Sequence, residues 1–394
     1  MVTIQPLTIE VLGIGFPNKG AELMLLAISE WAARLPVETR LAVRWDTRFE
    51  DRLRHKLWAK VWHPVSARLP YGHLANRWPE GVARRLGVVR ERDVDVFMDA
   101  SGYAYGDSWG AAKARDRLGS RIGQWRRQGS RVVLLPQAFG PFETPALRAE
   151  MQSILSQADR IYARDEASLA NLRQLAPGSR SVARGYDFTC LVSPQPFRGM
   201  DALEGVIGVI PNHKMYSQGA GLTRAGYLDY LIGVAQGVLA RGHRVALILH
   251  EGDQDRRLCE EIQRAVEGAV EIVSLLDPRE IKMAIGKCSC LLTSRFHGFA
   301  SGLFQGVPTL ATSWSHKYQE LARDFGAPDL VLDELSPEQT VERLEGLCSR
   351  SSSEKLRRQL GARSEDIKNV VRGMWTEIES ITKSARTPGM APSQ

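Results

Sequence analysis

The sequence predicts an α/β protein built as two doubly wound parallel-sheet domains. Three observations carry this. A unit of short apolar strand, glycine-rich or polar turn and amphipathic helix recurs along the chain, which is how strands joined by helical crossovers read. The recurrence breaks at Pro194, Gln195, Pro196 and Phe197, a linker composition. A length of 394 residues gives each half a full core. The expected division is residues 1–195, residues 196–350, a helix over 351–384 and a disordered tail over 385–394.

In the first half, Leu7 to Gly13 reads as a strand, followed by the loop GIGFPNKGAE and a helix whose apolar residues Leu23, Leu26, Ala27 and Trp31 fall at helical spacing. Gly13, Gly15 and Gly20 fit neither GxGxxG nor a P-loop, yet the loop brings backbone N–H groups to a helix start, which suits a phosphate or a sugar. Leu41 to Trp45 is a second strand. From Asp46 to Arg92 the text is basic and Trp-rich, with Arg54, His55, Lys56, Trp58, Lys60, Trp62, Arg68, Arg77, Trp78, Arg84, Arg85 and Arg90. It reads as the solvated face of amphipathic helices, or as a patch for an anionic acceptor or a phospholipid surface. Val94 to Met98 is a buried strand that ends in Asp99, Ala100, Ser101 and Gly102; Asp99 or Ser101 would meet a sugar hydroxyl, or Asp99 would cap the next helix. Arg131 to Pro136 delivers Gln137 and Gly140, and Arg160 to Ala163 delivers Arg164, with Asp165 at a helix N-terminus.

The second half repeats the scheme. Val206 to Ile210 ends at Pro211, Asn212, His213 and Lys214, and Arg244 to Leu249 ends at His250, Glu251 and Asp253, with helices over Tyr227 to Leu239, Arg256 to Val266 and Pro278 to Ile285. Leu291 to Thr293 closes a strand at Ser294, Arg295 and His297; Gly298 to Phe304 is a helix stopped by Pro308; Thr309 to Thr312 delivers Ser313, Ser315, His316 and Lys317. A helix follows Asp333, and Ser353 to Ser384 is a long helix with Leu356, Leu360, Ile367, Val370, Val371, Trp375, Ile378 and Ile381, placed to brace the first domain. Ligands of open α/β sheets sit outside the carboxyl ends of the strands, so the cleft between the halves is the expected active site. Arg295, His297, His316 and Lys317 lie at two such ends, and no Asp or Glu occurs between His297 and Lys317. A phosphate or carboxylate would complete them; singly, Arg295 and Lys317 also read as surface cations and His297 as a core histidine.

Composition narrows the classes. With 43% hydrophobic and 25% charged residues the chain reads as soluble and globular, and its net charge of +7, concentrated between Arg34 and Arg131, favours anionic partners. Nucleic acid is disfavoured, since no RRM, KH, helix-turn-helix or zinc-finger pattern is present. Cys190, Cys259, Cys288, Cys290 and Cys348 are scattered and odd in number, so core thiols in a reducing cytosol are expected, with no metal site. No signal peptide and no run of about 20 apolar residues is seen, which implies a cytoplasmic protein able to act at a membrane surface.

The segments GIGFPNKGAE, LLPQAFGPF, YARDEASLANL, YDFTCLV, ILHEGDQD and SRFHGFASGLFQGVPTLATSWSHKYQEL, in that order between Leu7 and Gly326, resemble the polysaccharide pyruvyl transferase family. The resemblance implies two Rossmann-like domains similar to B-type (GT-B) glycosyltransferases. It also implies pyruvyl transfer from phosphoenolpyruvate to a sugar as a cyclic ketal, with release of phosphate. It matches Arg295 and His297 to the family's Arg-x-His, Lys317 to its following Lys, Arg164 and Asp165 to its Arg-Asp, and Asn18 and Gly20 to its Asn-x-Gly. Glu22 after Ala21, and Ser101-Gly102 in place of Gly-Gly, depart from the pattern and bear on the acceptor.

On this expectation His297, then His316, protonates the methylene carbon. Arg295, Lys317, Ser294, Asn212 and Arg164 hold phosphoenolpyruvate, which serves as donor substrate in place of any cofactor. Asn18, Gly20, Glu22, Asp99, Ser101, Gln137 and Asp165 face the sugar or lipid-linked acceptor, with Glu22, Asp99 or Asp165 as base. The cytoplasmic inner face of the membrane is the expected place of action. The rivals are a glycosyltransferase with a nucleotide-sugar donor, with Glu251 or Glu280 on a ribose, and a non-catalytic glycan-binding relative.

Overall fold

The computed structural model describes residues 5–16, 18–61, 76–217, 221–313 and 315–385, with the side chains of 350–352 excepted. These residues form two compact units, the first drawn from 5–16, 24–188 and 370–385 and the second from 18–23 and 189–369. Each is a parallel sheet with helices on both faces, so the fold class is the doubly wound α/β class read from the sequence.

In the first unit β1 (Leu7–Leu12) lies between β2 (Thr39–Arg44) and β5 (Val96–Asp99), parallel to both. On the β2 side follow β3 (Trp58–Lys60) and β4 (Val88–Val89); on the β5 side follow β7 (Arg131–Phe139), β8 (Arg160–Ala163) and β9 (Val182–Arg184), with β6 (Tyr103–Tyr105) pairing to the end of β7. β1 is buried along its whole length, its Leu7, Ile9, Val11 and Leu12 in the core and its Glu10 paired with a buried lysine. β7 continues three residues past the expected stop, through Pro136; a register shift between Leu134 and Gln137 absorbs the residue that lacks an N–H. Beneath the sheet Phe97 stacks on Trp125 with ring centres 3.7 Å apart.

The basic segment is corrected here. Lys60 is not on a solvated face: it is fully buried, 2.9 Å from Glu10 and 3.5 Å from Glu91, and Glu91 also accepts from Arg121 at 2.6 Å. Arg90 is buried as well, donating to Asp93 and to the Trp78 carbonyl. Arg54, Lys56, Arg77, Arg84 and Arg85 are exposed, while Trp62 and Arg68 lie outside the described residues.

The second unit is a sheet in the order β12 (Glu271–Val273), β11 (Val245–Ile248), β10 (Ile207–Ile210), β13 (Cys290–Thr293), β14 (Thr309–Ala311), every pair parallel. Ile210, Ile248, Leu291 and Val307 anchor its core. The cysteines are buried except Cys348, whose Sγ lies 2.8 Å from that of Cys290.

The last helix, Arg350–Ser384, contributes to both units. In the second, Ser364 Oγ donates to the Phe304 carbonyl at 2.8 Å. In the first, Trp375 stacks on Trp31 at 4.9 Å and meets Phe188 edge-on, and Tyr162 donates to Glu377 at 2.7 Å. Among the described residues no helix is long and apolar enough to cross a membrane. The expected tail beyond Ala385 lies outside them.

Candidate functional site

The carboxyl ends of β10, β11, β13 and β14 converge on one edge of the second sheet, and the residues that leave these ends are polar. At the centre Ser294 follows β13. Its hydroxyl is bonded to Tyr227 Oη at 2.6 Å and accepts from Thr312 Oγ1 at 2.5 Å, and its carbonyl accepts from Asn212 Nδ2 and Tyr318 Oη, each at 2.8 Å. Ser294 and Asn212 are therefore almost fully buried ties between strands at the centre of this edge.

Arg295 caps the helix Phe296–Phe304 from its N-terminal side and is 5% exposed. Its Nε donates to Asp255 Oδ2 at 2.9 Å, its Nη2 bonds the same oxygen, and its Nη1 pairs with Glu251. The expectation of a cation without local neutralisation is thus overturned for Arg295. The acids come from the end of β11 and the first turn of the helix Gly252–Ala265, distant in sequence but adjacent in the sheet order. Burial pulls the guanidinium pKa down to about 10, which leaves it charged at neutral pH. Asp255 is shared: its Oδ1 accepts from the His213 backbone N–H at 3.0 Å and from His213 Nδ1 at 2.9 Å. The same Nδ1 lies 3.4 Å from Arg295 Nη2, so His213, Asp255 and Arg295 form one contiguous cluster. Beside them His250 is buried, and burial first, then the charges of Arg295 and His297, hold its pKa well below the usual histidine range.

His297 is half-buried on the first turn of its helix, with its ring edge-on to Phe296 at 5.4 Å. Its Nδ1 lies so close to Gly20 that a Cβ on that glycine would fall 2.0 Å away. Gly20 is thereby required for space, not conformation. Lys317 Nζ stands 5.4 Å from the centre of the Phe296 ring and 5.7 Å from that of Tyr318, so Lys317 and His297 flank the same aromatic side chain. His316 is exposed at the N-cap of the helix Lys317–Asp324. Asn18 serves the start of the helix Lys19–Ala32, its Oδ1 accepting from Gly20 N at 2.9 Å and Ala21 N at 3.3 Å, while Glu22 is buried and paired with Lys19 at 2.7 Å.

The remaining expected residues belong to the first unit. Asp99 is fully buried, its Oδ1 accepting from the Ser101 N–H at 2.9 Å and hydroxyl at 2.5 Å and its Oδ2 from Tyr105. Both its oxygens are thus engaged within the first unit. Gly13, at φ +84°, lets the end of β1 close on Ser101, whose Oγ would sit 2.4 Å from an added Cβ. Gln137 donates to the Asp99 carbonyl at 3.4 Å, and its Oε1 is buried with no partner among the described residues. Asp165 caps the helix Glu166–Leu175 by accepting from Ser168 N at 2.7 Å, and its second oxygen is likewise buried and unpartnered. Arg164 is buried beside it.

The structure thus brings Arg295, His297 and Lys317 to one edge. It adds His213, Lys214, His250 and Asp255, to which the sequence gives no donor role, and Glu251, which the sequence places only on the ribose of a nucleotide-sugar donor. The PNHK turn after β10 was visible as a strand end. Asp255 carried no signal, being one acid among several in a polar helix.

The polysaccharide pyruvyl transferase family model matches residues 18–316. No match is found among curated proteins. Among solved structures, the chain is similar to a UDP-N-acetylglucosamine 2-epimerase (TM-score 0.60, 10% identity, 99% of this chain and 100% of the other). It is also similar to UDP-GlcNAc 2-epimerase from Neisseria meningitidis bound to UDP-GlcNAc (0.58, 14%, 95% and 99%). A further likeness is to HepE from Anabaena in complex with UDP (0.60, 11%, 96% and 100%). At such identities these likenesses show the fold alone, the GT-B-like arrangement of two α/β sheets. The family match, which spans most of the chain and both elements of the Arg-x-His edge, goes further: the chain belongs to the polysaccharide pyruvyl transferase family.

Proposed function

We propose that the protein transfers the pyruvyl group of phosphoenolpyruvate to a sugar of a polysaccharide or its precursor, forming a cyclic ketal and releasing phosphate. The observation that carries the reading is the gathering of Arg295, His297 and Lys317 on one carboxyl edge of the second sheet. A guanidinium has five N–H donors. Asp255 and Glu251 engage three of those on Arg295 and His213 Nδ1 lies 3.4 Å from its Nη2, so about one remains for the donor's carboxylate or phosphate. Lys317 supplies a second positive charge.

In this reading His297 delivers a proton to the methylene carbon while one sugar hydroxyl bonds to the enol carbon and gives its proton to the base. Phosphate then leaves with the electron pair of its C–O bond, and a second hydroxyl closes the ketal and gives up its proton. His316, exposed nearby in sequence, is the second candidate acid. We assign Gln137 and Asp165 to the acceptor, with Asp165 as base, and Arg164 to phosphoenolpyruvate. Phosphoenolpyruvate is already an activated enol ester, so the reading needs no further cofactor. It assigns the reaction to the cytoplasm, at the inner membrane face where the acceptor is lipid-linked.

A nucleotide-sugar donor is the competing reading, prompted by the UDP ligands of the structural neighbours. Against it, Glu251, a carboxylate suited to a ribose, is held by Arg295. Titration with phosphoenolpyruvate and with UDP-sugars, followed by thermal shift and calorimetry, separates the two. A ligand at a hundred times its Kd stabilises the fold by about 2.7 kcal/mol. Stabilisation by phosphoenolpyruvate that His297→Ala retains, with phosphate release to acceptor abolished, is the expected outcome; response to UDP-sugars alone would overturn it.

A further inference from the structure

We infer that Lys214, at the carboxyl end of β10, is an anion-binding residue of this edge and contacts the phosphate or carboxylate of the donor. The inference deepens the proposed function and rests on its reading of the edge as a donor-anion site.

Four observations support it. The turn that carries Lys214 is fixed: its backbone N–H donates to Asn212 Oδ1 at 3.0 Å, and the preceding His213 is tied to Asp255 through both its backbone N–H and Nδ1. The side chain is half-buried, so it is partly stripped of water. Among the described residues its ammonium has no ion pair or hydrogen-bond acceptor, whereas neighbouring cations do: Arg295 has Asp255 and Glu251, and Lys19 has Glu22. Asp255 is near enough to attract it, but both carboxylate oxygens are occupied by His213 and Arg295.

The consequence is electrostatic. Burial and the charge of Arg295 both push the Lys214 pKa down, with burial the larger cause. A long flexible side chain would ordinarily escape such a place by extending into water. Held here beside a buried guanidinium, it is relieved by an anion, which restores the charge balance that the protein leaves unfilled. His213, half-buried on the same turn, lies beside Lys214 and is tied to Asp255.

The test measures calorimetric affinities of the full chain for phosphoenolpyruvate, inorganic phosphate and UDP, for the parent, Lys214→Gln and Lys214→Arg, with melting temperatures of each. The expected result is a loss of about tenfold in phosphoenolpyruvate affinity in Lys214→Gln, the scale of one charge-assisted hydrogen bond, with most of it regained in Lys214→Arg. The ligand-free melting temperature of Lys214→Gln should equal or exceed that of the parent, since an uncompensated half-buried charge is removed. Unchanged phosphoenolpyruvate affinity in Lys214→Gln overturns the inference. If the parent binds UDP and not phosphoenolpyruvate, the pyruvyl reading fails while Lys214 is judged on UDP: loss in the Gln variant keeps its anion role, and equal binding removes it. A parent that binds none of the three overturns both.

Discussion

Gly20 and His297 share one space: the His297 imidazole lies where a side chain at residue 20 would begin, with Nδ1 2.0 Å from the position of an added Cβ. Gly20 sits in the first turn of the helix Lys19–Ala32, where alanine would otherwise favour the helix by about 1 kcal/mol. The clash decides the sign. Gly20→Ala should leave the melting temperature within a few degrees of the parent yet lower phosphate release from phosphoenolpyruvate plus acceptor by ~10-fold or more, because a displacement near 1 Å at a reacting group has that scale. Retention of the parent rate would show that the placement of His297 is unimportant.

The buried cluster around Lys60 gives a stability prediction. Lys60→Met strands the buried Glu10 carboxylate, whose pKa burial already raises, while Glu91 keeps Arg121 and the Trp125 indole N–H. Removing one partner of a buried pair costs about 3–5 kcal/mol, whereas exchanging both for apolar residues is often close to neutral. In urea unfolding, Lys60→Met should therefore lose more stability than the Lys60→Met/Glu10→Leu pair. Equal losses would mean that Glu10 is neutral in the folded protein.

His250 sets a pH dependence. Its folded-state pKa is depressed well below 6.5, so below about pH 6.5 the unfolded chain binds a proton that the folded chain refuses. Its contribution is present above pH 6.5 and is lost as the pH falls toward the folded pKa. The slope approaches about 1.4 kcal/mol per pH unit. Denaturant unfolding between about pH 5 and pH 7 should show a shallower rise with pH in His250→Gln than in the parent, and parallel curves would exclude the assignment.

Trp375 anchors the last helix in the first unit through Trp31 and Phe188. Trp375→Ala should cost about 3–5 kcal/mol, the usual loss for a large buried aromatic. Near-UV circular dichroism should report the lost stacking with Trp31. An unchanged spectrum and unfolding midpoint would show that this end of the helix is dispensable.

The alternating architecture was legible because every long strand is a buried run followed by a turn and a helix. The short strands β3, β4, β6 and β9 were not, with two or three residues each, whereas β14, equally short, reads from Pro308 before it and the polar residues after it. The site was legible where it is contiguous: Ser294 to His297 and His316 to Lys317 read directly as strand ends. What failed was charge. Lys60 and Arg90 looked like surface cations because their partners, Glu10, Glu91 and Asp93, declare nothing in one dimension. Arg295 looked unneutralised because the search for acids ran forward along the chain, while Asp255 and Glu251 reach it from a preceding strand end. For Asp99 the strand end predicts position and not the bonds that Ser101 and Tyr105 make to its oxygens.

A chain that keeps Arg-x-His but lacks the acid 40 residues upstream would bury a guanidinium with one supporting carboxylate removed. Arg295, Asp255 and Glu251 therefore form one electrostatic unit, in which a change at Asp255 or Glu251 alters the charge environment of Arg295 as directly as a change at Arg295 itself.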